Sequence, residues 1–234
     1  MFFLNKHLAW EYVAPSLLSV WVCYIFFSSF CPLLCFNFNG IIYLRVVYAK
    51  SSIFIIMDNF FDLLKNRRSC RLFTGEPVDK EAVCNLMRAA LMSPSGHRYN
   101  PWEFILVEDK EALKALSVSK AQGAALLEGA AMAVVVIADT EKTDVWIEDC
   151  SIATIIMQLA AEEMGLGSCW VQIRRRSDAE GNAAESNVKK LLNIPEKYAV
   201  LSIVAVGHKA REAKPFDEER MQWEKVHIGE FGGK

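Results

Sequence analysis

Residues 149–172 read DCSIATIIMQLAAEEMGLGSCWVQ, and the fold turns on how they are read. Ile152, Ile155, Ile156, Leu159, Ala160 and Met164 recur at helical spacing, so 150–164 is predicted as a helix with these residues as its apolar stripe. Asp149 is placed to cap its start and Gly165 to end it. A strand over 168–173 follows. Gly165 and Gly167 mimic a GxG, yet they follow a helix and precede a strand, and Trp170 fills the third glycine position. That order is the reverse of the dinucleotide fingerprint. The glycines are read as stopping the helix and turning the chain.

Working outward, AMAVVVIA at 131–138 is a continuous apolar run rich in β-branched residues, which suits a strand covered on both faces. Strands are also predicted at 104–107 and 199–206, and helices at 110–116 and 185–192. Towards the N-terminus, Ala82, Val83, Leu86, Met87, Ala90 and Leu91 form the stripe of a helix over 79–91, broken by Ser93-Pro94-Ser95-Gly96. A first helix starts near Met57, with Asp58 or Asn59 as cap and Phe60, Phe61, Leu63 and Leu64 as its apolar face. Helices alternating with strands give an α/β or α+β sandwich around one sheet.

The chain has 234 residues, 26 Lys and Arg against 28 Asp and Glu, 53% hydrophobic and 23% charged. This balance excludes a basic nucleic-acid-coating protein, a collagen-like repeat and a disordered acidic chain. The average conceals two unlike parts. Residues 1–56 carry only Lys6, Glu11, Arg45 and Lys50 as charges. Taking those three basic residues and one acidic residue away leaves 23 basic and 27 acidic in 57–234, a mildly acidic domain large enough for a real core.

The run 16–38 is long enough to span a bilayer, but Pro32 interrupts it and the flanking charges barely select an orientation. The expectation is an upstream-called start joined to a domain beginning at Met57, with a membrane anchor as the alternative. Cys70, Cys84, Cys150 and Cys169 are widely spaced without a CxxC, so they read as free buried thiols of a reducing, cytoplasmic compartment. The four histidines lack ligand spacing, and no metal is expected.

Two clusters carry chemistry. Arg67-Arg68-Ser69-Cys70-Arg71 offers three guanidiniums and a hydroxyl, a candidate anion site; by spacing alone a solvated basic helix end is the commoner reading of so short a cluster. Ser93-Pro94-Ser95-Gly96-His97-Arg98-Tyr99-Asn100-Pro101-Trp102 is a turn-rich loop whose small residues let backbone approach a flat ligand. A Ser95–His97 nucleophile pair lacks the strand-to-helix elbow that a hydrolase needs.

Taken in order, RRSCR, SPSGHRYNPWEF, the helix after Asp149, GLGSCWVQ and a strand ending at Gly207 resemble the FMN-dependent nitroreductase family over 57–207. The resemblance implies an α+β fold with a central mixed sheet flanked by helices. It also implies an intertwined homodimer with two FMN sites, each built from both chains at the interface. In that reading Arg67, Arg68 and Ser69 bind the phosphate, and Arg71 faces the N1–C2 edge of the flavin. Pro94, Ser95 and Gly96 lie against the ring from the partner subunit, with Asn100 carried more weakly because the family has Gln there. Trp170, Val171 and Gln172 pass the edge near N5, and Gln122 meets the pyrimidine side. Gly207 closes the last strand, and Lys209 completes the phosphate site, with Arg211 and Lys214 as further candidates.

The implied activity is ping-pong electron transfer from NAD(P)H to a nitroaromatic, quinone or related small-molecule acceptor, with the chemistry carried by FMN rather than by a side chain. A flavin-dependent dehalogenase or dehydrogenase, or a flavin-binding protein without turnover, are the alternatives. Nucleic acid is not expected as a partner, and a membrane only if the leader is real.

Overall fold

A computed structural model describes residues 60–233. The leader expected over 1–56 and the helix start expected at 57–59 lie outside them. In chain order the elements are α1 (Phe60–Asn66), α2 (Lys80–Leu91), β1 (Trp102–Val107), α3 (Lys110–Ser117), β2 (Met132–Asp139), α4 (Trp146–Glu163), β3 (Leu166–Gln172), α5 (Ala184–Leu192) and β4 (Tyr198–His208). Single 3₁₀ turns lie at Gly96–Arg98, Ala125–Leu127, Glu218–Arg220 and Trp223–Lys225.

The strands form one sheet in the order β1-β2-β4-β3, and each neighbouring pair is antiparallel. Among the described residues, parallel pairing enters only at the single bridge between Ser69 and Ser168, so the sheet is mixed only at that margin. β2 is buried along its whole length. Its alternation splits the core in two. Ala133, Val135 and Ile137 join Leu113, Leu116, Val188 and Ile203 beneath α3 and α5. Met132, Val134, Val136 and Ala138 face Leu86, Ala90, Cys150, Ala153 and Met157 of α2 and α4. Helices on both faces of the sheet make a three-layer α+β sandwich.

Local chemistry explains the helix ends. Asp79 accepts a hydrogen bond from Glu81 N at 3.4 Å, and Asp109 accepts one from Ala112 N at 2.9 Å. α5 closes on Asn193 in the left-handed region (φ 52°). The β2–β4 register slips between Val136 and Ile137, skipping Leu201. The Leu201 carbonyl accepts from Ile173 N and Arg174 N instead, fixing the end of β3.

Several expectations are corrected. α4 begins at Trp146, one turn earlier than predicted, behind Val145 without a side-chain cap. Asp149 is therefore inside the helix and buried. The stripe read from the sequence is not the buried face either. Asp149, Cys150, Ala153, Thr154, Met157, Gln158, Ala161 and Glu162 are buried, whereas Ile152 and Ile155 are 38% and 40% exposed.

The helix is apolar nearly all round, and packing chose the face with the small residues. Likewise α1 has no buried residue; Phe60, Phe61 and Leu64 are exposed, as is Leu91 of α2. Gly165 does end α4 with φ +73°, but Gly167 lies within β3. A Cβ there would meet Cys70 Sγ at 2.7 Å and Lys209 Cγ at 3.0 Å. Cys150 and Cys169 are buried, Cys70 is half-buried and Cys84 is exposed.

Candidate functional site

The segment after α1 runs along the open end of the sheet. Cys70 N donates to Ser168 O (2.9 Å), Thr74 N to His208 O (3.1 Å) and Ala210 N to Leu72 O (3.0 Å). These bonds fasten the arginine cluster to the start of β3 and the end of β4. They enclose a cavity of about 150 Å³ whose lining includes Arg68, Ser69, Arg71, Glu162, Lys209 and Arg211. Gly207 contributes by its lack of a side chain: a Cβ would meet Ala131 N at 3.0 Å and Phe73 Cδ1 at 3.1 Å. It is a packing residue of β4.

Four cations (Arg68, Arg71, Lys209 and Arg211) face two carboxylates (Glu162 and Glu212) in this cavity. Lys209 Nζ donates to Glu162 Oε1 at 2.7 Å and to Glu212 Oε2 at 3.3 Å. Burial alone would lower the Lys209 pKa, but its bond to Glu162 and the two negative charges outweigh that and hold it above the usual lysine range. Its charge is thus largely committed to the protein.

The Arg68 guanidinium lies 6.0 Å from the Phe216 ring centroid, and Arg71 makes only a long 3.5 Å contact to Ser69 O. Among the described residues, no hydrogen bond runs from the Arg211 side chain. The guanidiniums of Arg68, Arg71 and Arg211 therefore remain for a ligand, a donor set suited to a phosphate monoester, with the Ser69 hydroxyl beside them and hydrogen-bonded to the Cys169 thiol. Arg67 is half-buried, donates its N–H to Leu63 O at 2.9 Å and does not line the cavity.

Further along β3, Trp170 Nε1 donates to Gln172 Oε1 (2.8 Å) and Gln172 Nε2 to Arg174 O (3.0 Å). Val171 is 1% exposed in the core beneath α3 and α5, so only its backbone is available to a ligand. Lys120 Nζ donates to Gln172 O at 2.9 Å. Burial, reinforced by the charge of Arg176, lowers the Lys120 pKa. Sequence reading missed this lysine, although its place two residues before Gln122 was a usable signal. Gln122 itself is exposed on its loop and outside the cavity.

The second cluster is folded tightly on itself. Ser95 Oγ donates to Asn100 Oδ1 at 2.7 Å and accepts from Asn100 N at 3.0 Å. His97, Arg98 and Asn100 all have positive φ (50°, 59° and 45°), an uncommon conformation for three non-glycine residues in four. Gly96 N donates to Asp149 Oδ1 at 2.9 Å, tying the loop to the N-terminal turn of α4. Pro94 is exposed.

Asp149 and Glu162 are thirteen residues apart on one helix, about 20 Å at 1.5 Å per residue. Within one chain, the Ser95–Gly96 loop and the arginine cavity sit at opposite ends of α4.

Comparison with known proteins agrees with this geometry. The model of the family described as "Nitroreductase family" matches residues 64–126 and 118–208. A protein of Archaeoglobus fulgidus, named for NADH dehydrogenase or NAD(P)H nitroreductase activity, is 32% identical over 177 residues, 73% of this chain and 98% of its own length. The structure of an FMN-dependent nitroreductase from Clostridium difficile R20291 is 41% identical with a TM-score of 0.72, covering 74% of this chain and 100% of that one. An NADPH:FMN oxidoreductase from Vibrio harveyi, complexed with NAD+, is 25% identical with a TM-score of 0.61 over 73% of this chain and 76% of that one. Sheet, cavity and sequence point the same way: the chain belongs to the nitroreductase family.

Proposed function

We propose that this protein is an NAD(P)H-dependent flavin oxidoreductase that works as a homodimer with FMN at each interface. It reduces nitroaromatic, quinone or related small acceptors by a ping-pong cycle. The observation that carries the reading is the cavity of Arg68, Ser69, Arg71 and Arg211 at the C-terminal end of α4. When bound, FMN supplies the redox chemistry, between the hydride of NAD(P)H and the electrons delivered to the acceptor.

The chain's own residues bind and polarise. Arg68, Arg211 and Ser69 hold the phosphate, with Glu162 fixing Lys209 beside them and Arg67 as outer support. Arg71 places a permanent positive charge at the pyrimidine edge, where negative charge accumulates on reduction. The Trp170–Gln172 backbone and Lys120 border the ring's other edge, with Gln122 at the pyrimidine side.

The dimer reading is supported by two observations. The bare Ile152 and Ile155 of α4 lie outside the chain's own core, as do Phe60, Phe61 and Leu64 of α1. In addition, the loop of Pro94, Ser95, Gly96 and Asn100 stands a helix length from the cavity, so it reaches a ring only across an interface. Among the described residues all four cysteines are unpaired, which favours a reducing cytoplasm. Among the described residues, no helix is long and apolar enough to cross a membrane.

The test is direct. The purified full chain is expected to be yellow and to bleach on anaerobic mixing with NADH or NADPH. Acceptor and NAD(P)H variation should give parallel double-reciprocal lines. Arg68→Ala should weaken FMN by about 10–100-fold, the cost of about 1.5–3 kcal/mol for a lost charged hydrogen bond, and leave riboflavin binding unchanged. Colourless protein that retains neither flavin refutes the reading.

A further inference from the structure

The Asp149 carboxylate is 3% exposed and lies one turn inside α4. Its Oδ1 accepts the Gly96 N–H at 2.9 Å, while its Oδ2 is fully buried with no hydrogen-bond partner among the described residues. A buried carboxylate with one oxygen unused is expensive; its place in the first turn of α4 suits the helix dipole, as does that of Glu148, but it caps no helix N–H. What the carboxylate does is hold one N–H of a loop.

Within itself the loop is tightly folded, and the Asp149 bond ties that folded shape to α4. Three of its four residues from His97 to Asn100 are in the left-handed region, and its internal bonds run between Ser95, Gly96, Arg98, Tyr99 and Asn100. Position 96 also has little room for a side chain on the side facing α4. A Cβ there would come within 3.1 Å of Val145 Cγ2 and about 4 Å of both Asp149 oxygens.

We infer that Asp149 is the positioning residue of the flavin ring: by clamping Gly96 it holds the Ser95–Gly96 backbone in the shape that meets the isoalloxazine of the partner's site. The inference rests on the reading above that this loop faces a flavin ring across the dimer. It makes α4 a two-ended ruler. Glu162 at one end orders Lys209 beside the phosphate cavity of its own chain, and Asp149 at the other end orders the loop for the second site.

A ring-positioning role and a phosphate-binding role leave different marks, because riboflavin shares the ring and lacks the phosphate. Dissociation constants for FMN and riboflavin are measured by flavin fluorescence on the full chain, its Asp149→Ala and Asp149→Asn variants, and Arg68→Ala. Loss of a charged hydrogen bond is expected to weaken both flavins by the same factor in Asp149→Ala, about 10–100-fold. Asp149→Asn retains an acceptor for Gly96 N–H and should restore most of that loss. Its flavin absorbance spectrum should match wild type, whereas that of Asp149→Ala shifts.

If Asp149→Ala does not fold, Gly96→Ala decides: it should weaken both flavins equally, and adding Val145→Ala should recover them by removing the clashing methyl. Loss confined to FMN, or no loss in either flavin, overturns the inference while wild-type flavin binding keeps the functional reading intact. A wild-type chain that binds neither flavin overturns both.

Discussion

β2 and α4 are both rich in apolar residues, yet they are buried differently. Every residue of β2 is covered by its own chain, because a strand between two helical layers has no third side. α4 has a full circumference to place, and the chain's core takes only one arc of it. The arc taken is the one with Ala153, Met157 and Ala161, together with polar Asp149, Thr154, Gln158 and Glu162.

Each of those polar groups finds a partner: Gly96 N for Asp149, the Cys150 carbonyl for Thr154 (2.8 Å), Ser168 Oγ for Gln158 (3.5 Å) and Lys209 for Glu162. The isoleucines remain outside. An apolar pattern therefore reports that a surface will be buried, but not in which body, chain or assembly.

The sharpest break would come from the core side. Leu113, fully buried beneath the sheet, should cost about 2–5 kcal/mol when cut to alanine. Denaturant titration should give the same loss at every protein concentration, and a concentration-dependent loss would place Leu113 in the wrong class.

On α4, Ile155→Asp should do the converse. It leaves the secondary structure of the chain intact but raises the dimer dissociation constant at least about tenfold, roughly 1.4 kcal/mol. Sedimentation at graded concentrations reads this, and a variant with an unchanged association constant would show that the outer face is not an interface.

The inner face of the same helix offers a finer test. Burial first, and the adjacent Asp149 charge second, push the Cys150 thiol up to about 12 from its ordinary 9.0. Below pH 9 the thiol is neutral in folded and unfolded chains and contributes no pH dependence. Between pH 9 and 12 the unfolded thiol ionises while the folded one keeps its proton, so stability is lost as pH rises. Wild type should lose up to about 1.4 kcal/mol per pH unit more than Cys150→Ala in this window. Parallel curves would mean that the thiol is not held dry.

The smallest effect concerns reactivity alone. Cys84, exposed on α2, should label rapidly with a thiol reagent at pH 8, and Cys84→Ser should remove that phase while Cys150→Ser leaves it.

Much of the molecule was legible in its residues. The turn at Ser93–Gly96 follows from small residues and proline. The two-sided burial of 132–139 follows from an unbroken β-branched run, and the helix over 80–91 from its stripe and Asp79. The three arginines within five residues were legible as a candidate anion site, and three of the cluster's residues, Arg68, Ser69 and Arg71, line one cavity.

Its membership was not. Arg67 falls outside the cavity and Glu162 enters it, because the lining is chosen by where β3, β4 and the segment after α1 meet. Lys120 escaped notice because its partner, the Gln172 carbonyl, is fifty-two residues away.

Local periodicity thus determined most of the elements, and side-chain chemistry marked a candidate anion site, since both depend on near neighbours in the chain. Only the tertiary structure decided which arc of α4 is covered, that Asp149 accepts from Gly96 N instead of capping a helix, and that the Ser95–Gly96 loop and the arginine cavity stand about 20 Å apart along that helix. Those outcomes depend on packing between segments that the sequence leaves far apart, and packing density rather than hydrophobicity alone selects among the apolar faces on offer.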